Sequence, residues 1–554
     1  MKKNVEKGYP YRNRDILVID LTKDEYSFVS ISEEIGKQYH GGRALAYKLW
    51  DDYANWETIN ENCLYVGAPI IITLGVSNDL GFNFSSSSTL MSYSLESKSV
   101  VTYNFSSKKL SLAISSLGFC AIVIKGRARR LTKIEIFRNK INIDLCETFH
   151  NLSTREIERE HETAASLISI GASGENRSIY SSINIDSQNV GRAGIGAIFG
   201  EKNLKCVAIY NNEQVIRTPY YDRYVDEVFK YFDNKPKMNY LNSANELGWG
   251  AIESFQYRYD PRLWGLGSEL TKDCTLDWLN ALALGANIGI YDYNKVEILQ
   301  EKCLDLALDP FSVSIFLNWA LFAEDQGIID LKIDKNIKFL NRLILLLEAL
   351  SSAKGSFSSI NESVSNLAEK YGFDKNNFTS FGKELLPLDL RGLNAFSIAV
   401  AIDDDTFVPW EMFRELNKKD SAKALFYSQI YREICESLGI SWKNVLYLAN
   451  IDGSYKKENN KFIKILLKLF ALSEGYNISE EQLIQFGKES FFHRRAIECQ
   501  SRDNCKYSIS NIPIYFLTNR ICNFKKESIV SIAGELDKYL TILEYEKEKL
   551  NIQI

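Results

Sequence analysis

A basic residue set among glycines is the most suggestive local arrangement in the chain. Gly191-Arg192-Ala193-Gly194-Ile195-Gly196 lies within VGRAGIGAIFGEKNLK, residues 190–205. Glycines let backbone N–H groups approach an anion closely, and the donor fork of a guanidinium suits a phosphate. The pattern is not the dinucleotide-binding fingerprint, which follows a first strand directly and needs a later acidic residue. A second candidate is Asp403-Asp404-Asp405, which reads either as ligands for a hard cation such as Mg²⁺ or as a solvated acidic turn. A third is His493 with Cys499, Cys505 and Cys522. Their Cys-x5-Cys-x16-Cys spacing matches no zinc or cluster pattern, so they read as buried or incidental thiols.

The elements that must position these residues change character along the chain. Up to about residue 210, apolar residues alternate at strand period between turn signals. Residues 15–30 read as a hairpin with its turn at 22–25, and 63–73, 119–126, 133–145, 166–174 and 205–211 as further strands. Residues 41–53 read as a helix opening after two glycines. Beyond about 215 the period becomes helical. Helices are predicted over 294–308, ended by Asp309-Pro310, then over 311–328 with Gly327 as a stop, and over 336–355. Another spans 479–498, opened by a capping box of Ser479 and Gln482. The predicted class is α+β, a β-rich domain over 1–212 followed by helical domains over 213–410 and 411–554.

Composition narrows the partners. The chain of 554 residues carries 66 basic and 71 acidic side chains, a net charge of −5, which argues against nucleic acid as its main partner. The basic run at 125–130 reads as a solvated turn between strands. No uninterrupted apolar window of membrane-spanning length occurs, and the basic N-terminus lacks the apolar segment of a signal peptide. A cytoplasmic protein without membrane contact is therefore expected. The ten cysteines include no Cys-x-x-Cys pair and are expected to be reduced and mostly buried.

The chain resembles the aldehyde:ferredoxin oxidoreductase family nearly from end to end. The resemblance is carried by GGRALAYKL (41–49), LYVGAPI (64–70), GFCAIVIKGRA (118–128), IGASGEN (170–176) and residues 190–209. LGANIGIYD (284–292), DLRGLNAFSIAVA (389–401), residues 472–498 and LDKYLTILEYE (536–546) continue it. The family implies a β-rich base domain, two helical domains and a site between them. It also implies tungsten, or molybdenum, held by two pyranopterin dithiolenes beside a [4Fe-4S] cluster. On that resemblance the loop of Gly191, Arg192, Gly194 and Gly196 forms part of the cradle for a pterin phosphate.

The rest of the family's site is eroded. Its cluster takes three thiolates from a Cys-x-x-Cys-x-x-x-Cys motif, yet the corresponding residues 245–270 contain no cysteine, and Cys274 stands alone nearby. The fourth ligand position, at the end of the family's Asp-x-x-Gly-Leu-Cys motif, is Ser441, and the motif's aspartate is Glu436. A second pterin motif, Asp-x-x-Gly-Leu-Asp, reads LDLALD here: Leu304 and Ala307 replace its aspartate and glycine, and only Asp309 survives. Residues 104–109 replace an Asn-Ser-Gly-Gly turn, and 78–88 replace a Thr-Gly-Gly-Arg stretch. A family glutamate aligns with Leu279 and a family histidine near Pro409.

No [4Fe-4S] cluster is expected, and no other cofactor, with the tungsten or molybdenum pyranopterin as the second reading. The 191–196 loop then either still holds a phosphate or keeps its shape for packing, and the losses favour packing. The expected role is a non-catalytic scaffold or partner subunit, as a homodimer or as a heterodimer with an intact paralogue. One alternative is an enzyme or binding protein reusing the interdomain cavity for a small molecule through Arg192, Asp309, Asp389, Arg391 and Glu436. Leu304, Phe105 and Lys108 plugging that cavity would count against it. The other is a residual pterin-dependent aldehyde oxidoreductase.

Overall fold

The structure is a computed structural model describing residues 15–60, 67–82, 84–211, 221–233, 280, 283–290, 292–352, 362–372, 379–380, 383–384, 394–402, 404, 420–440, 461–501, 507, 511 and 529–552. Twelve strands of the N-terminal region form two six-stranded sheets. The first contains β1 (Asp15–Asp20), β2 (Glu25–Ser30), β3 (Ile70–Leu74), β4 (Ser87–Ser94), β5 (Ser99–Ser106) and β6 (Phe119–Lys125), in the order β2-β1-β6-β3-β4-β5. The second contains β7 (Thr132–Phe137), β8 (Lys140–Leu145), β9 (Ser166–Ser169), β10 (Ile183–Ile185), β11 (Gln188–Val190) and β12 (Leu204–Ile209), in the order β11-β10-β9-β12-β7-β8. Each sheet has one parallel pair, β1 with β6 and β12 with β7.

The inner strands β1, β3 and β6 of the first sheet are buried on both faces, which explains their unbroken apolar runs. Leu17, Ile19, Ile72 and Ile122 face the second sheet's Ile134, Ile168 and Val207. Ile16, Val18, Ile71 and Val123 face the helix α1 (Gly42–Tyr53), which supplies Leu45, Leu49 and Trp50. The predicted hairpin at 15–30 forms with Asp15 opposite Ser30. The strand expected over 63–73 begins only at Ile70, after Pro69, and residues 61–66 lie outside the described part. The long hairpin β4–β5 and helix α2 (Lys108–Ser116), capped by Ser107, were not foreseen.

Beyond the N-terminal region the described chain is mainly helical, with one short antiparallel pair, Thr379–Ser380 with Lys383–Glu384. One core gathers α4 (Tyr293–Leu306), α5 (Pro310–Asp325) and the helices at 339–352 and 364–370. Another gathers α6 (Ser421–Leu438), α7 (Glu480–Gln500) and the helix at 461–474, and takes in Val228 and the helix at 394–401. The Ser479–Gln482 capping box is present in full. No helix among the described residues is long and apolar enough to cross a membrane.

Candidate functional site

The glycine loop leads from β11 into α3 (Ile195–Glu201). Gly191 (φ +86°) and Gly194 (φ +70°) lie in the left-handed region, as does Ala193 (φ 54°). The space beside the glycines is already filled by protein. A Cβ on Gly191 would lie 2.4 Å from the Ile195 side chain, and one on Gly196 would lie 2.2 Å from the Ser182 carbonyl oxygen. These residues therefore permit close packing of α3 on the preceding backbone.

Arg192 meets Asp309 across the joint to the first helical core. Its Nε lies 3.4 Å from Asp309 Oδ2, and its guanidinium carbon sits 5.7 Å from the centre of the Phe311 ring. Asp309 also caps α5, accepting from the backbone N–H groups of Phe311 at 3.3 Å and Ser312 at 2.8 Å. Helix α4 does not run to residue 308 as expected. It stops at Leu306 because Ala307 turns left-handed (φ 52°, ψ 51°), and Asp309 starts the next helix. Backbone and side-chain donors of the N-terminal domain hold this turn. Ser182 N–H donates to the Ala307 carbonyl at 2.7 Å, Thr154 Oγ1 to the Leu304 carbonyl at 2.7 Å, and Asn189 Nδ2 to the Leu308 carbonyl at 2.8 Å.

Glu436 belongs to a separate, larger charged group where α1, α6 and α7 meet. Its Oε2 accepts from Arg43 Nη1 at 2.5 Å and from Arg432 Nε at 3.1 Å. Arg43 Nε also reaches Tyr47 OH at 2.7 Å and Glu433 at 3.2 Å. Arg494 ties Glu433 at 3.1 Å to Asp404 at 2.9 Å and Glu498 at 3.1 Å, and Arg495 donates to Glu498 at 2.7 Å. Burial works against the charge on Arg43, but Glu433, Tyr47 and Glu436 outweigh it and hold its pKa above the usual guanidinium range. Burial pushes the Tyr47 phenol well above its ordinary value.

Asp404 is neither an empty cation site nor a solvated turn. It is buried and accepts from Gln429 Nε2 at 2.6 Å and Arg494 Nη2 at 2.9 Å, with Arg432 at 3.7 Å. Its charge is matched by guanidiniums. Asp403, Asp405, Asp389, Arg391, Leu279, Pro409, Ser441 and residues 245–270 lie outside the described residues.

The joint is sealed by backbone as well. Val76 N–H donates to the Ser437 carbonyl and Ser77 N–H to the Leu438 carbonyl, both at 3.0 Å, and Ser87 N–H to the Gly439 carbonyl at 2.9 Å. A Cβ on Gly75 would lie 2.1 Å from Gly439 Cα. Residues 75–77 and Ser87 thus pack directly on the end of α6. Of the residues named against a cavity, Phe105 sits in the core between the sheets, Lys108 is exposed on α2, and Leu304 is half-buried on α4.

The described cysteines are free thiols. Cys146, Cys206, Cys303 and Cys435 are buried, and burial pushes the Cys146 thiol up to about 12. Cys206 Sγ lies 3.7 Å from His161 Nε2, and Cys499 Sγ lies 3.6 Å from Tyr507 OH. His493 pairs with Asp51 at 2.6 Å, not with Cys499, while Cys505 and Cys522 lie outside the described residues.

Sequence reasoning missed the arginine–carboxylate group, although a signal existed. Gln429, Arg432, Glu433 and Glu436 recur at i, i+3, i+4 and i+7, a polar stripe along one face of a helix that is buried from Ser428 to Leu438. Arg43 follows the Gly41-Gly42 pair. A Cβ on Gly42 would lie 2.3 Å from the Glu436 carbonyl oxygen, so that glycine lets α1 approach α6.

Comparison with known proteins agrees with this architecture. The chain is 27% identical over 219 residues to the WOR-like subunit of the aliphatic sulfonate oxidoreductase of Pyrococcus furiosus, covering 36% of this chain. That match spans only 34% of the relative's own length. It is 23% identical over 446 residues to the tungsten-containing aldehyde ferredoxin oxidoreductase of the same organism, covering 70% of this chain and 72% of the relative. The fold matches the active site complex BamBC of benzoyl coenzyme A reductase, solved with 1,5-dienoyl-CoA. The TM-score is 0.78 at 16% identity, over 98% of this chain and 97% of the other. Residues 16–211 match the N-terminal domain of aldehyde ferredoxin oxidoreductase, and residues 267–547 match its domains 2 and 3. The chain belongs to the aldehyde ferredoxin oxidoreductase family.

Proposed function

We propose that this chain is a family member that carries neither the [4Fe-4S] cluster nor the tungsten bis-pyranopterin, and that it works as a non-catalytic scaffold or partner subunit. The observation that carries the reading is the missing sulfur. Residues 245–270 contain no cysteine, and Ser441 stands at the fourth ligand position. A neutral serine hydroxyl does not replace a thiolate on iron.

The polar residues left at the pterin positions fit the group poorly. Asp309 caps a helix and pairs with Arg192, while Glu436 lies between two arginines. The glycine loop is filled by its own neighbours. A phosphate at Arg192 would stand beside Asp309, a second anion already paired with the same guanidinium. No reaction step is derived through either cofactor.

The partner half of the reading is supported by the company the chain keeps. One relative is named a subunit and the matching fold is part of an active-site complex. We infer an assembly with another copy or with an intact paralogue.

Anaerobic purification with elemental analysis for tungsten, molybdenum and iron tests the cofactor claim, together with absorption in the cluster band. The expected result is metal far below one equivalent per chain. Stoichiometric iron, or stoichiometric tungsten with bound pterin, overturns it.

A further inference from the structure

Residues 146–165 run as a strap from β8 to β9, over the face of the second sheet turned away from the first. The strap holds a short turn at Glu147–Phe149 and a helix at Thr154–Glu160, whose capping box of Ser153 and Glu156 is complete. Its apolar hold is small and separate from the main cores. Ile157 meets Leu167, Cys206 and Ala208, with Phe149, Leu152 and Ala164 half-buried around them. An element with so few buried contacts opens more readily than the sheet beneath it.

The strap also ties the second sheet to the first helical core. Thr154 Oγ1 donates to the Leu304 carbonyl, and Arg155 reaches Glu301 at 3.4 Å and Asp305 at 3.0 Å on α4. On the sheet side, Ser187 Oγ donates to Glu158 at 2.9 Å and Lys205 Nζ to the Leu152 carbonyl at 2.9 Å.

His161 ends the strap's helix and faces inward, its side chain 2% exposed. Nδ1 lies 2.6 Å from Tyr210 OH and Nε2 lies 3.7 Å from Cys206 Sγ. Tyr210 OH donates in turn to Glu135 Oε1 at 3.3 Å, which Lys133 Nζ approaches at 3.1 Å. A neutral ring protonated at Nδ1 satisfies the whole chain: the thiol donates to Nε2, Nδ1 to the tyrosyl oxygen and the tyrosine to the carboxylate. A second proton would stand on Nε2 and aim an N–H at sulfur, a weak acceptor, where no water enters. Burial and the Lys133 charge hold the imidazole below its ordinary range, against the pull of Glu135 at 3.7 Å and of Glu160. Burial pushes the neighbouring Cys146, Cys206 and Tyr210 upward, so they stay neutral near pH 6. Lys205 is taken by Glu175.

We propose that residues 146–165 form an acid-released strap, latched to the second sheet by neutral His161 and freed when that ring takes a second proton. The open strap binds the proton more readily than the closed one. Closure is therefore complete above about pH 6.5 and is lost as pH falls below it. Release undoes the Thr154 and Arg155 ties and loosens the end of α4. His150, the strap's other histidine, is exposed and pairs with Glu175 at 2.5 Å, so a proton there adds charge to a pair instead of breaking one. The latch does not depend on the cofactor reading.

Hydrogen exchange of the full chain tests this, read as protection of peptides within 146–165 after correction for the intrinsic effect of pH. Protection should fall by up to about tenfold per pH unit below about 6.5, while peptides of the first sheet keep theirs. His161→Gln keeps a neutral donor and acceptor and should flatten that dependence. If this variant opens the strap at every pH, NMR of the natural chain with labelled histidines decides. The variant identifies the His161 signal among the four by its loss, and that ring should stay neutral well below pH ~6.5. Level protection between about pH 7.5 and 5 overturns the proposal. So does a His161→Gln chain that keeps the natural slope, or a His161 signal that titrates at the ordinary value.

Discussion

Replacing Glu436 by glutamine removes one carboxylate from a buried group that otherwise balances. Arg43, Arg432, Arg494 and Arg495 stand against Asp404, Glu433, Glu436 and Glu498. Glu436 Oε2 serves two guanidiniums, at 2.5 and 3.1 Å. An amide oxygen can still accept from one, but the amide NH₂ then faces the other, and one positive charge is left unmatched. Breaking a buried ion pair from one side costs about 3–5 kcal/mol. Arg43 keeps Glu433 at 3.2 Å and Arg432 keeps Asp404 at 3.7 Å, so the lower end, about 3 kcal/mol, is expected. In a chain with several cores a single unfolding free energy is not defined, so the readouts are the first urea midpoint and protease sensitivity of the joint. The midpoint should fall and cleavage should quicken, with Arg43→Met doing the same. A residue kept for a ligand would behave oppositely, because neutralising an unoccupied buried carboxylate relieves a desolvation cost. An unchanged or raised midpoint for Glu436→Gln would refute the structural role.

Three further outcomes follow from the same geometry. Burial pulls the Lys202 ammonium down from 10.5 to about 7, although its Nζ donates to the Gly126 carbonyl at 3.1 Å. The unfolded chain then holds the extra proton between those values, so this group makes the N-terminal domain more stable as pH rises through that window. The slope is at most ~1.4 kcal/mol per pH unit. Lys202→Met should lose that rise, seen as a flatter dependence of melting temperature on pH above about 7, and an unaltered slope refutes it. Ala307→Gly should change stability by less than about 1 kcal/mol. Relief of the left-handed strain, about 1–2 kcal/mol, is offset by ~0.8 kcal/mol for the buried methyl and about 0.4–1 kcal/mol of unfolded-state entropy. A large gain in urea midpoint would show that the strain is greater than φ alone indicates. Mg²⁺ should leave the melting temperature of the natural sequence unchanged, and Asp404→Asn should lower it by a few degrees. A Mg²⁺-dependent rise that Asp404→Asn abolishes would restore the cation reading.

The sheets were legible where burial is simple, and the joints were not. The apolar runs at 16–19 and 121–124 follow from burial on both faces, and the helix at 42–53 opens at the glycine pair that signalled it. Strand β4 escaped notice because SSTLMSYS carries little apolar contrast, although all eight residues are buried. Its hydroxyls are satisfied by backbone and neighbouring side chains, as when Ser92 donates to the Pro69 carbonyl and Ser94 to that of Ala193. Nothing local in the sequence announces such partners. The end of α4 was misread because proline is a visible stop, whereas an alanine in the left-handed region is an uncommon one, fixed by tertiary hydrogen bonds. Arg43 and Glu436 are almost four hundred positions apart, so only the fold reveals that the two charges belong together.

The same contrast bears on why the glycine loop is kept. Had Gly191, Gly194 and Gly196 served a ligand alone, loss of the ligand would remove the reason for them. Each instead has a local demand. Gly191 and Gly194 hold positive φ, and Gly196 sits where a Cβ would collide with the Ser182 carbonyl oxygen. Arg192 likewise has Asp309 and Phe311. The chemistry of a motif and its packing can therefore part company: cluster thiols serve only the cluster, while the loop also positions α3 and the start of α5. On the function proposed above, residues with one duty are the ones lost, and residues with two are the ones that remain.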